Sequence, residues 1–141
     1  MPIYSCTHET GSLTAEQKAA VAGEITRIHA AVTHAPTSFV HVVFHERPVG
    51  DLYTDAKPSS PLLIVGVIRG GRSDTDKQRL VLDLSAACAR VSGRSEKDIV
   101  VGVTDIPAKF AVEGGRVLPE PGAERDWLSD GSEVAVVSAK K

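Results

Sequence analysis

The apolar positions of the chain fall into two periods. Val21, Ile25, Ile28 and Val32 recur at i, i+4, i+7 and i+11, the spacing of one helix face. Leu80, Leu84, Ala87 and Val91 repeat that series further along. Around them lie short runs rich in Val and Ile, at about 2–6, 39–46, 62–68 and 98–104, which read as strands. Thr14 and Gln17 precede the first helical series as a capping box, hydroxyl and amide each satisfying an orphan backbone donor. The second helix starts near "SDTD" (73–76), with acidic groups at its positive end, and stops at Gly93 in the left-handed cap position.

The two halves are one pattern written twice. An offset of 59 residues lays Pro2 on Pro61, Ile3-Tyr4 on Leu62-Leu63 and Lys18 on Lys77. The same offset lays the first helical series on the second, and "VHVVF" (40–44) on "IVVGV" (99–103). Each half is strand, helix, strand, with repeats at about 2–46 and 61–105. Residues 47–60, with Pro48, Gly50 and Pro58, form the connection and are a candidate hairpin arm. The expected fold is therefore α/β (α+β), a single domain over residues 1–141. Tandem β-α-β units form a four-stranded sheet with two helices on one face, related by a pseudo-twofold axis. The other sheet face is Val-rich and bare, so an oligomer is expected to cover it. The tail, 123–141, with "SDGSEVAVVSAKK" at its end, adds a short strand or crosses to a neighbour; the pattern leaves both open.

Composition narrows the partners. Hydrophobic residues make up 42% and charged residues 24%, an ordinary globular balance. A net charge of −2 gives no general attraction to nucleic acid or anionic membrane, and 4% aromatics argues against base stacking. No apolar run approaches the roughly 20 residues of a membrane span, and no basic-then-apolar leader is visible, so a cytoplasmic location is expected. Cys6 and Cys88 lie far apart without a CxxC pair, which reads as reduced, buried thiols. HExxH, GxSxG and the P-loop pattern are all missing, so neither metal nor nucleotide cofactor is expected.

Candidate chemistry begins at the amino end. If Met1 is excised, Pro2 carries a secondary amine. An open α-amino group titrates near pH ~8, and burial moves it towards neutrality, where it suits general acid/base work. The bland reading is that Pro2 caps an edge strand, where a missing N–H does no harm. In "VIRGGRSDTD" (67–76), Arg69 and Arg72 flank a glycine turn between a strand end and a helix N-terminus. Such arginines bind carboxylates bidentately or are simply solvated. His29 sits at the edge of the first helix's apolar face; His34, His41 and His45 lack the spacing for a metal site with it. Glu113, in "AVEGG" (111–115), precedes a glycine turn and either reaches a pocket at the sheet end or faces solvent.

Together these residues resemble the tautomerase superfamily, specifically the group around cis-3-chloroacrylic acid dehalogenase, from Pro2 to Trp127. The resemblance shows in the proline after Met1, "RIHAAV" (27–32), "HAPTSFVHVVFHE" (34–46), "IRGGR" (68–72) and, most specifically, "IPAKFAVEGGRVLPEPG" (106–122). It implies a fused pair of β-α-β units, a homotrimer and cofactor-independent chemistry on a small carboxylate substrate. It implies that Pro2 is the catalytic amine, that Arg69 and Arg72 bind and polarise the carboxylate, and that His29 assists. It also implies that Glu113 activates water together with a tyrosine. Eleven residues before Glu113, where that tyrosine is expected, stands Gly102. The parts for keto–enol chemistry on 2-hydroxyalkenoates or 2-oxo acids are thus present, and one part for dehalogenation is missing. A tautomerase is the leading reading. A cis-3-chloroacrylate dehalogenase or hydratase using Glu113 is the alternative, and a non-catalytic trimeric binding protein the third.

Overall fold

A computed structural model describes residues 1–130 of the chain. Both helices begin and end where local chemistry marks them. Helix α1 (Ala15–Thr33) opens on the capping box: the Gln17 N–H donates to Thr14 Oγ1 at 3.0 Å and the Thr14 N–H to Gln17 Oε1 at 2.9 Å. Helix α2 (Asp74–Ser92) opens on Ser73, whose hydroxyl accepts from the Asp76 N–H, and closes on Gly93 at φ 70°. His34 closes α1 in the same left-handed conformation, at φ 62°, without the freedom glycine has there. An offset of 59 carries both ends of α1 onto both ends of α2, and the cap His34 onto the cap Gly93.

The strands repeat the same register. Strand β1 (Ile3–Glu9) pairs in parallel with β2 (His41–Arg47). A short hairpin follows, β3 (Tyr53–Thr54) against β4 (Lys57–Pro58), the arm expected in the connection. Strand β5 (Leu62–Arg69) pairs antiparallel with β1 and parallel with β6 (Ile99–Ile106), giving the order β2-β1-β5-β6. The antiparallel β1–β5 pair sits at the pseudo-twofold centre. A last hairpin, β7 (Val112–Glu113) and β8 (Arg116–Val117), precedes a helical segment at 124–130.

One face of the sheet is packed. Tyr4, Cys6, Leu62, Ile64, Ile68 and Ile99 meet Val21, Ile25, Ile28, Leu80, Leu84 and Cys88 from the two helices, and both cysteines are free thiols. Tyr4 lies directly across from Gly66, where a Cβ would fall onto the tyrosine ring. Only glycine lets that ring cross β5. The opposite face leaves Ile3, Val43, Val65 and Val100 exposed, the bare surface expected from the pattern. Within the tail, 124–130 are helical rather than a strand; the rest of the expected tail lies outside the described residues. Among the described residues, no helix is long and apolar enough to cross a membrane.

Candidate active site

A second, smaller apolar cluster forms where chain segments meet at one end of the sheet. Phe39 comes from a single 3-10 turn before β2, Ala111 from the turn before β7, and Leu118 from just after β8. Val67, Ile106 and Trp127 pack against it, and Met1 is part of the cluster at 8% exposure. Trp127 is fixed edge-on to Phe39 and by donation from its indole Nε1 to the Val117 carbonyl at 2.8 Å. Arg116 stacks on the indole, 3.7 Å from its centroid, while donating to the Trp127 carbonyl.

The amino end enters this cluster with its charge paired. The Met1 ammonium donates to Glu113 Oε1 at 2.5 Å, and His41 Nε2 lies 3.0 Å from the same oxygen. Pro2 is buried, and its carbonyl accepts the His41 N–H, which ties the start of β1 to β2. Burial pushes the Glu113 carboxyl up, but hydrogen bonds from the ammonium and His41 outweigh it and hold the group below the ordinary carboxylate range.

The arginines arrive from the end of β5 and the glycine turn. Gly71, at φ 103°, lets the chain double back while the Gly70 N–H donates to the Ile106 carbonyl. Arg69 is 3% exposed. Its Nη1 donates to the Pro119 carbonyl at 2.6 Å, its Nη2 to Glu124 Oε1 at 2.8 Å, and its guanidinium faces the Phe39 ring. Arg72 donates to the Thr33 carbonyl, one of the free carbonyls at the end of α1, and stands 3.9 Å from Glu124 Oε1. Burial and then the neighbouring Arg69 lower the Arg72 pKa, with Glu124 and Asp76 opposing. Glu124 is pushed up by burial and brought below its usual value by the Arg69 hydrogen bond, its own backbone and the Gly122 N–H.

His29, at the edge of the apolar face of α1, is buried, and its Nδ1 lies 2.8 Å from the Tyr4 hydroxyl. Its pKa falls to about 3, through burial first and then the charges of Arg72, Arg69 and the chain's amino end. A neutral imidazole therefore faces three cations. Such a set offers an amine, an N–H donor and a guanidinium around one small anion, which suits polarising a carboxylate beside a proton carrier.

The structure thus brings the expected residues to one end of the sheet. Glu113 meets the amino end directly, Arg69 and Arg72 share Glu124, and His29 lies within the field of all three cations. The sequence does not mark Glu124, and it assigns neither His41 nor Tyr4 the contact it makes here. Glu124 looks like one charge in a polar helix, its partner 55 residues away; His41 reads only as an alternating strand position. Tyr4 has a signal, since it faces a glycine in the neighbouring repeat. Gly102 pairs with Val65 in mid-β6, with open space where its Cβ would be. Among the described residues, no group of three or more His, Cys, Asp or Glu is placed to hold a metal ion.

Comparison with known proteins agrees with the fold. The chain is similar to the crystal structure of N1, a member of the cis-3-chloroacrylic acid dehalogenase family, at 29% identity over 90% of each chain, TM-score 0.88. It is similar to native Ps01740 at 35% identity over 79% of this chain and 99% of that one, TM-score 0.76. A fused 4-OT structure, a wild-type symmetric trimer, shares the fold at 20% identity over 82% and 94%, TM-score 0.76. No curated protein matches the chain. The Tautomerase_3 family model, described as "Putative oxalocrotonate tautomerase enzyme", matches residues 1–132, and the chain belongs to this family within the tautomerase superfamily of enzymes.

Proposed function

We propose that the protein is a cofactor-independent tautomerase that interconverts the enol and keto forms of 2-hydroxyalkenoate or 2-oxo acid substrates. The observation that carries this reading is the gathering of the amino end, Arg69, Arg72, His29 and Glu113 around one buried corner. Excision of Met1 frees the Pro2 nitrogen as a secondary amine. Arg72, with Arg69 and the neutral His29 behind it, holds the substrate carboxylate. The Pro2 amine takes the enol hydroxyl proton and returns a proton to carbon, so that one group serves as base and then acid. Three copies cover the Val65 and Val100 face; the fused 4-OT structures whose fold the chain shares are trimers. A small carboxylate is then the partner, with neither membrane nor nucleic acid required.

The test is enol-to-keto conversion of phenylenolpyruvate, followed by its absorbance. Pro2→Ala and a Met1-retaining form are expected to lose turnover. Normal turnover with Met1 in place overturns the reading.

Hydration or dehalogenation of cis-3-substituted acrylates is the second reading, favoured by the contact of Glu113 with both the ammonium and His41. Halide release from cis-3-chloroacrylate that disappears in Glu113→Gln supports it. Brisk tautomerisation without halide release excludes it.

A further inference from the structure

Met1 is joined through its carbonyl to the Pro2 nitrogen, yet its side chain is not at the surface. It is 8% exposed and seated among Phe39, Val67, Ile106, Ala111, Leu118 and Trp127. We propose that this apolar pocket is the subsite for the far end of the substrate, and that the substrate is a monocarboxylate with an apolar tail about as long as a methionine side chain. The inference rests on the tautomerase reading and narrows it.

Position comes first. Removing Met1 uncovers the amine and empties the space beside it in one step. A space walled by aliphatic and aromatic carbon next to the reacting centre takes an apolar group and rejects a charged one. Charge points the same way. Arg69 has both terminal nitrogens bound within the chain, to Pro119 and Glu124. Arg116 is stacked on Trp127 and donates to its carbonyl, so it holds the wall rather than facing the pocket. With the Pro2 amine unprotonated, as its role as base requires, two guanidiniums stand against the carboxylates of Glu113 and Glu124, and His29 is uncharged. No excess positive charge remains. Arg72 meets one substrate carboxylate, and a second has no counter-charge in the pocket.

The experiment uses the full chain with Met1 absent, verified by intact mass. Turnover is compared for phenylenolpyruvate and for 2-hydroxymuconate, a dicarboxylic dienol. The phenyl substrate is expected to have at least a tenfold higher kcat/KM. Binding of two unreactive probes, 3-phenylpropanoate and adipate, is measured calorimetrically on the same protein. The aryl acid is expected to bind at least tenfold more tightly, and Ala111→Phe, which narrows the pocket, to weaken it by a similar factor. No binding of 3-phenylpropanoate, or adipate binding equally or better, overturns the subsite without recourse to any variant. Absent turnover on both enols with the binding order intact instead overturns the tautomerase reading and leaves the subsite standing.

Discussion

The hydroxyl of Tyr4 lies 2.8 Å from Nδ1 of His29, with both residues buried and the rings edge to face. Burial, and then the nearby Cys88, raises the phenol's pKa, so it stays protonated and donates. That assigns the proton of the neutral imidazole to Nε2, leaving an N–H free to meet an anion. Gly66 makes the arrangement possible, because any side chain there would displace the tyrosine ring.

Tyr4→Phe removes the donor and strands the buried Nδ1. The loss is expected to lower folding stability by about 1–3 kcal/mol and to raise KM more than it lowers kcat, because it acts on the orientation of His29. Chemical denaturation and steady-state kinetics on one preparation measure both effects.

His29 also sets an acid limit. Its pKa is about 3 in the folded chain against 6.5 unfolded, so the unfolded state binds more protons between those values. Stability is therefore expected to fall as pH drops through the window from 6.5 towards 3, by about 1.4 kcal/mol per unit from this residue. Denaturation midpoints in His29→Gln should show a shallower slope over that window.

Glu124 is the counter-ion of an almost fully buried guanidinium. Glu124→Ala leaves Arg69 charged and buried, with the Pro119 carbonyl as its remaining hydrogen-bond partner among the described residues. Loss of one member of such a pair is expected to lower stability by about 3 kcal/mol or more. Thermal denaturation checks this against Glu120→Ala, an exposed glutamate four residues away, expected within about 0.5 kcal/mol of wild type.

Glu113 bears on the proposed proton carrier, the Pro2 amine. A carboxylate beside an amine favours the protonated form, so Glu113→Gln is expected to lower the pKa of the freed Pro2 amine. For a reaction that needs the unprotonated amine, the rising limb of kcat/KM against pH then moves to lower pH. A limb that stays in place overturns the pairing of Glu113 with the amine.

The frame of this protein was legible because it is written in local terms. Helix faces, caps and strand periods involve residues a few positions apart, and the second copy repeats them with caps of the same kind, Ser73 for Thr14 and Gly93 for His34. The site is less legible because its bonds span the chain. Glu113 to Met1 covers 112 positions, Arg69 to Glu124 covers 55, and neither pair leaves a spacing that a sequence displays. The segment at 124–130 escaped for a different reason. It holds fewer than two turns, too few for a helical period to show.

The seating of Met1 has a practical corollary. A methionine removed from a packed apolar site takes with it contacts worth about 2 kcal/mol or more, so the precursor should melt higher than the processed chain. On the proposed mechanism, a purification tag fused ahead of Met1 would block its excision, and with it the amine and the pocket. Such a preparation would look well folded by every routine criterion, and selecting for stability would select the silent form.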